Sequence, residues 1–350
     1  MRIALDSIVF GLQRLGGITT YWAALARGLA ARQDVTPVLL QPRHVITLGT
    51  RDLATSQLPA VRERLPAFLS RYMTAQTIPD CDLQHSSYYR LPRERRVRSV
   101  VTVYDFIYEA RRRGLAQRLH GAQKRRAVER ADAIICISNR TRDQLRCRWP
   151  RVPGGKVSVV PLAVDHDRWY PAATPPGGHE AGDRVLFVGR RDGYKRFDLA
   201  VAAVARVPEL RLAVVGTGLT PREEAHLRSR LGNRVETMGE VDDSSLRLLY
   251  STAHALVVPS EDEGFGLPVL EAMACGCPVV AGSRSGLGES GGTAARWVQV
   301  QEADAYADAL RSLGHSGARA AAVRSGLAQA ARFTWADTID RTVAVYRNLV

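Results

Sequence analysis

Two glutamates, Glu263 and Glu271, bracket a glycine turn in the stretch Glu263-Gly-Phe-Gly-Leu-Pro-Val-Leu-Glu271. Carboxylates placed this way can each accept a hydrogen bond from a separate hydroxyl of one polyhydroxylated ligand, while Gly264, Phe265, Gly266 and Leu267 between them let backbone come close to it. Two cations stand on a second glycine-bearing loop, Gly189-Arg-Arg-Asp-Gly-Tyr-Lys-Arg196. There Arg190 offers a planar, permanently charged fork and Lys195 a compact point charge, which together suit a phosphate or diphosphate. Gly16-Gly17-Ile18 is a third such place, a glycine pair where a helix begins, whose N–H groups can cradle an anion. Plainer readings remain open at this level. Glutamate is favoured near a helix N-terminus by the dipole alone, loop cations are commonly solvated, and a glycine pair is a weak signal.

The elements around these residues put them where ligands bind. An apolar run at 255–258 reads as a buried strand. The glycine turn follows, Pro268 opens a helix carrying Val269, Leu270, Ala272, Met273 and Ala274, and Gly276 with Pro278 ends it. The next strand starts at Val279. Glu263 is therefore expected on a loop at a strand's carboxyl end and Glu271 on the helix behind it, the place where open α/β sheets take their ligands. The cationic loop has the same setting, between a strand at 184–188 and a helix at 197–207, with further strands at 210–215 and 235–239 and a helix at 246–251.

The first half alternates in the same way. Strands are expected at 3–5, 35–40, 82–85, 97–104, 133–137 and 157–161, and helices at 18–31, 116–131 and 138–149. Residues 51–58 and 61–77 read as amphipathic helices, residues 171–182, rich in Pro, Gly and Ala, as a linker, and residues 333–350 as a final amphipathic helix.

At 350 residues the chain exceeds the size of a single core. The expected division is an N-terminal domain at 1–165, a second domain at 166–332, and the final helix. No run approaches the ~18 apolar residues of a spanning helix. Asp6 comes too early for an export signal, and five cysteines without framework spacing fit a reducing cytoplasm. Charge is divided unevenly. Residues 1–165 hold 28 Lys and Arg against 13 Asp and Glu, and the remainder is nearly neutral. The basic residues gather at 90–98, 111–113, 124–126 and 140–151. Either an anionic partner or an arginine-rich solvated surface accounts for them.

The segment Glu-Gly-Phe-Gly-Leu-Pro-Val-Leu-Glu-Ala-Met-Ala-Cys-Gly-Cys-Pro-Val-Val-Ala, from Glu263 to Ala281, closely resembles the signature of the retaining glycosyltransferases of family 4. The resemblance implies an α/β GT-B fold, two Rossmann-like doubly wound domains facing a central cleft, with the final helix crossing back to the N-terminal domain. It makes the N-terminal domain the acceptor side and the second domain the nucleotide-sugar side. Glu263 would hold donor-sugar hydroxyls and Glu271 the ribose. Arg190 and Lys195 after Gly189, with backbone around Gly16, Gly17 and Gly264 to Leu267, would stabilise the departing diphosphate. His85 and Tyr88 in His85-Ser-Ser-Tyr-Tyr89 would lie toward the acceptor, and Tyr104 and Asp105 beside the donor sugar. Tyr104 stands where many relatives carry histidine, so no role of that imidazole transfers, and Leu162-Ala163 stands where they usually have Asn-Gly.

The implied reaction is metal-independent hexosyl transfer with retention of anomeric configuration and no cofactor, the nucleotide-diphosphate sugar being substrate. Asp80-Cys-Asp82 and Asp165-His-Asp167 fit the Asp-x-Asp pattern of metal-dependent glycosyltransferases but lack its context. Within the family the motifs look most like bacterial O-antigen and exopolysaccharide mannosyl- or rhamnosyltransferases. That implies a GDP-linked donor, a glycan or lipid-pyrophosphate-linked acceptor, and a peripheral contact of the basic domain with the inner leaflet. A UDP-sugar enzyme of the same family is the alternative. A basic, non-catalytic nucleic-acid- or membrane-binding protein would explain the charge but not the donor motif, so no nucleic acid is expected.

Overall fold

The computed structural model describes residues 1–14, 16–46, 58–110, 114–172, 182–191, 193–283 and 286–350. They form two compact units, Met1–Leu162 with Trp335–Val350, and Ala163–Thr334.

In the first unit seven strands, β1 (Arg2–Asp6), β2 (Thr36–Gln41), β3 (Ala60–Arg62), β4 (Leu83–Ser86), β5 (Arg98–Val103), β6 (Ala133–Cys136) and β7 (Val157–Val159), make one sheet. Its order is β3-β2-β1-β4-β5-β6-β7 and every pairing is parallel. Parallel neighbours cannot be joined by a hairpin, so helices such as Gly17–Ala30 and Leu115–Arg130 provide the crossovers. The inner strands β4 and β6 are buried at every residue, which explains their unbroken rather than alternating apolar pattern.

The second unit repeats the plan with β8 (Arg184–Val188), β9 (Arg211–Val215), β10 (Val235–Gly239), β11 (Ala255–Val258), β12 (Val279–Gly282) and β13 (Arg296–Val298). The order is β10-β9-β8-β11-β12-β13, again all parallel. Both are doubly wound sheets, as the sequence resemblance implies. In each, chain order reverses at one point, between β1 and β4 in the first and between β8 and β11 in the second. Local sequence fixes many helix starts. Ser138 caps Asn139–Arg148 by accepting from the Thr141 N–H at 3.0 Å. Thr220 and Glu223 form a reciprocal capping box with Pro221 opening the helix.

The amphipathic helix expected at 61–77 is not there. Val61 lies in the edge strand β3, paired with Leu40, and Pro66 admits only the single turn Ala67–Ser70 before the chain leaves helical geometry. A β-branched residue beside an open sheet edge, then a proline, outweighs the apolar spacing. The other expected helix, at 51–58, lies almost entirely outside the described residues, as does the basic run at 111–113. The first unit ends at Leu162, ahead of the Pro- and Gly-rich stretch expected as a linker, of which 173–181 are outside the described residues.

The final helix, Trp335–Arg347, belongs to the first unit. Thr338 donates to the Pro161 carbonyl at 2.9 Å, Arg347 pairs with Asp34, and Tyr346 meets His85.

Candidate functional site

At the reversal point of the second sheet, the loops that follow β8 and β11 are tied together. The Glu261 N–H donates to the Tyr194 carbonyl at 2.8 Å, Arg196 reaches Glu261 at 3.2 Å, and Lys195 Nζ lies 2.6 Å from Glu263 Oε1. The Lys195 and Glu263 side chains keep 19% and 12% of their surface exposed, so the pair is desolvated enough to be ordered yet open to a ligand. Arg190 is exposed on the same loop as Lys195. Its neighbour Arg191 is used structurally, holding the turn after β9 through the carbonyls of Thr217 and Gly218, both at 2.7 Å, and Glu223 at 2.8 Å. Backbone also closes up here, since a side-chain carbon at Gly216 would sit 2.6 Å from the Gly189 carbonyl oxygen.

The helix Leu267–Ala274 begins where Glu263 ends its loop. Its cap residue Gly266 has φ +92°, and a Cβ there would meet Leu287 Cδ2 at 2.2 Å, so a left-handed turn and a close packing contact both demand glycine. Ser290 fixes the turn by donating to the Phe265 carbonyl at 2.7 Å, and Phe265 packs edge-on against Phe333. Among the described residues no side chain caps the first turn, and the positive end of the helix adjoins the Glu263 loop. Glu271 is half-buried, and burial pushes its carboxyl up to about 8, with Asp243 adding to the effect and Tyr250 opposing it. At neutral pH such a carboxyl carries a proton and can donate as well as accept a hydrogen bond.

The residues singled out in the first unit have different surroundings. Gly16 and Gly17 are exposed at the start of Gly17–Ala30. The Asp105 carboxylate receives the Ile107 N–H at 3.0 Å. The Tyr88 hydroxyl accepts from Arg71 at 3.3 Å. Tyr104 is buried, its hydroxyl without a hydrogen-bond partner among the described residues and its ring edge-on to Tyr21.

His85 needs a correction. It is fully buried, with Nδ1 2.6 Å from the Tyr346 hydroxyl, Nε2 2.8 Å from the Thr102 hydroxyl, and its ring against Trp22. Burial lowers its pKa to about 3, so it stays neutral and fastens the final helix to the sheet instead of meeting an acceptor. The basic clusters also shrink. Arg90 is sealed inside with Asp6 and Glu63 at 3.1 and 2.5 Å. Lys124 is buried against Glu109 at 3.2 Å, 4.0 Å from the centre of the Phe106 ring.

Among the described residues no group of three or more His, Cys, Asp or Glu is placed to hold a metal ion, and no helix is long and apolar enough to cross a membrane.

Comparison with known proteins decides the family. Residues 15–168 match the model described as Glycosyltransferase Family 4, and residues 182–316 the model described as Glycosyl transferases group 1, so each unit carries its own match. The chain belongs to the group 1/family 4 glycosyltransferases. A D-inositol 3-phosphate glycosyltransferase of Mycolicibacterium paratuberculosis is 34% identical over 243 residues, covering 65% of this chain and 55% of the relative, so the match spans about half the relative's length. Among solved structures, sucrose-phosphate synthase from Thermosynechococcus elongatus aligns with a TM-score of 0.77 at 23% identity, over 100% of this chain and 99% of its own. Anabaena Alr3699/HepE in complex with UDP and glucose aligns with 0.75 at 18% identity, over 99% of each chain. These likenesses establish the GT-B fold of this glycosyltransferase-family chain.

Sequence reading missed the brace formed by Arg196, Glu261 and the Tyr194 carbonyl, because it joins residues 65 apart through the pairing of β8 with β11. The left-handed backbone of Arg196, φ +49°, carried no signal in its residue type.

Proposed function

We propose that this chain transfers a hexose from a nucleotide-diphosphate sugar to a hydroxyl group, with retention of anomeric configuration and without a metal ion. The observation that carries this reading is the Lys195–Glu263 pair, set beside the N-terminus of Leu267–Ala274 where the second sheet reverses. Charge develops on the diphosphate as the sugar leaves, so preorganised positive groups are what lower the barrier. Lys195, held in place by Glu263, and Arg190 supply cations, and the helix terminus supplies its dipole. The remaining oxygen of Glu263 accepts from a sugar hydroxyl, and Glu271, protonated near neutrality, exchanges hydrogen bonds with the ribose.

For the base, the sequence motifs favour a GDP-linked mannose or deoxyhexose, whereas the fold neighbour holding UDP and glucose favours the UDP alternative. We adopt the UDP-linked donor. For the acceptor, the relative's name contains an inositol phosphate, and the motif-based reading is a lipid-pyrophosphate-linked glycan of cell-surface polysaccharide synthesis. Both readings give the acceptor a phosphate group. A peripheral contact of the first unit with an anionic leaflet is supported by exposed Phe68, Leu69 and Met73 together with the arginines that remain at the surface.

The test is thermal denaturation in the presence of UDP, GDP, ADP and their hexose conjugates with EDTA present. A ligand at a hundred times its Kd raises stability by roughly 2.7 kcal/mol. A shift with UDP-hexose that is lost in Glu271→Ala supports the reading. A shift confined to GDP-mannose replaces the base, and silence with every nucleotide refutes donor binding. Proton NMR of the product's anomeric configuration decides retention.

A further inference from the structure

In the first unit a cluster of cationic and aromatic groups surrounds Tyr88. The Arg71 guanidinium lies 4.9 Å from the ring centres of both Tyr72 and Tyr88. His120 is 7% exposed, its ring 5.3 Å from Tyr88 and 5.2 Å from Tyr108. Gln123 donates its amide to the Arg71 carbonyl. Three buried polar atoms in this cluster have no hydrogen-bond partner among the described residues: Arg71 Nε, His120 Nδ1 and Gln123 Oε1. Buried polar atoms are almost always satisfied by protein, water or ligand, so three in one place mark a position where a polar partner would be held.

The charge balance gives that ligand a sign. Buried Arg90 and Lys124 of the same unit each have carboxylates. Arg71 has no carboxylate within ion-pair distance among the described residues, and its guanidinium donates to the neutral Tyr88 hydroxyl. Acids of this unit are engaged elsewhere, Glu109 with Lys124, the Asp105 carboxylate with the Ile107 N–H, and Glu63 with Arg90 and Ser70. Tyr72 and Tyr108, 41% and 48% exposed, leave the cluster open at its rim.

We infer that Arg71, His120 and Gln123 form a subsite for a phosphate ester, with the Tyr72 and Tyr108 rings beside the group that the phosphate carries. The guanidinium fork takes phosphate oxygens, His120 Nδ1 donates to another, and Gln123 Oε1 accepts from a neighbouring hydroxyl. This deepens the proposed function, resting on the first unit as the acceptor side. The phosphate belongs either to a soluble phosphorylated polyol or to a lipid headgroup. The second source suits the exposed Leu115 and Leu119 on the helix that carries His120.

The experiment titrates the full chain, wild type, Arg71→Ala, Arg71→Lys and His120→Gln, with glycerol 3-phosphate by calorimetry at constant ionic strength. In parallel, each variant is sedimented with vesicles of phosphatidylglycerol and of phosphatidylcholine. Thermal melts establish that each variant is folded. The expected result is a loss of about tenfold or more in Arg71→Ala, smaller in Arg71→Lys, with His120→Gln also weakened. Loss in the soluble arm assigns a soluble ester, and loss only with phosphatidylglycerol assigns a headgroup. Binding equal to wild type in both arms for folded Arg71→Ala, or no phosphate binding by the wild type in either arm, overturns the subsite. Nucleotide-sugar binding is measured on the same samples, so failure of the donor reading shows separately.

Discussion

At the reversal point of the first sheet, between β1 and β4, Asp6 and Arg90 are fully enclosed and Glu63 nearly so. At the reversal point of the second, between β8 and β11, Lys195 and Glu263 remain partly open at loop tips. The strand order at the two places is the same, and each joins acids to bases. The first set faces inward and fixes its own loops, with Ser70 and Ser86 donating to Glu63 and Asp6. The second set is braced from behind by Arg196 and Glu261, which leaves Lys195 and Glu263 facing outward. A shared topology therefore places polar groups at a crevice without deciding whether they hold the fold or a ligand. What decides is how many carboxylates and hydroxyls the neighbouring loops supply to satisfy them.

Breaking the inward set should have the largest effect. Arg90→Met strands two buried carboxyls and is expected to cost about 3–5 kcal/mol, read as a lowered denaturation midpoint. An unchanged midpoint would mean the set is not structural.

The outward set should respond in the opposite manner. Lys195→Ala is expected to lower turnover by roughly 10²–10³-fold while changing stability by no more than about 1 kcal/mol. Calorimetric melts and initial rates on the same preparation separate the two effects. A large stability loss with intact turnover would reverse the assignment. Gly266→Ala should come next, at roughly 1–3 kcal/mol, because it adds left-handed strain and contact with Leu287. Nucleotide binding should weaken in parallel, and a variant that melts and binds like wild type would remove the turn from the site.

The smallest effect is a pH dependence. Burial, helped by Glu63 and opposed by Arg90, raises the Asp6 carboxyl from 3.8 to about 6. Between those values the folded chain binds more proton than the unfolded chain, so this group's contribution to stability is greatest below pH 4 and is lost as pH rises through about 6. Asp6→Asn should flatten that part of the stability curve. A slope unchanged in the variant would place the titration elsewhere.

Much of the architecture was legible because parallel strands buried on both faces write uninterrupted apolar runs, as at Ala133–Cys136 and Ala255–Val258. Glycine and proline mark the turn into Leu267–Ala274 equally plainly. Residues 61–77 misled because their apolar spacing fits a helix, while an open sheet edge at β2 supplied stronger hydrogen bonding to Ala60–Arg62. His85 misled because a histidine at a strand end has the same sequence appearance whether it meets a ligand or a tyrosine 261 residues away.

By itself, the sequence determined the alternation of strands and helices, the two-unit organisation, and the positions of Glu263, Glu271, Arg190 and Lys195 on strand-end loops and the following helix, since these follow from local periodicity and turn chemistry. Only the tertiary structure decided which charges are neutralised. It buried Arg90 and Lys124 among carboxylates, turned Arg191 onto backbone carbonyls, and left Arg71 among tyrosines with no acid beside it among the described residues. Charge pairing depends on which residues meet across the sheet, and that is information no neighbouring residue in the chain carries.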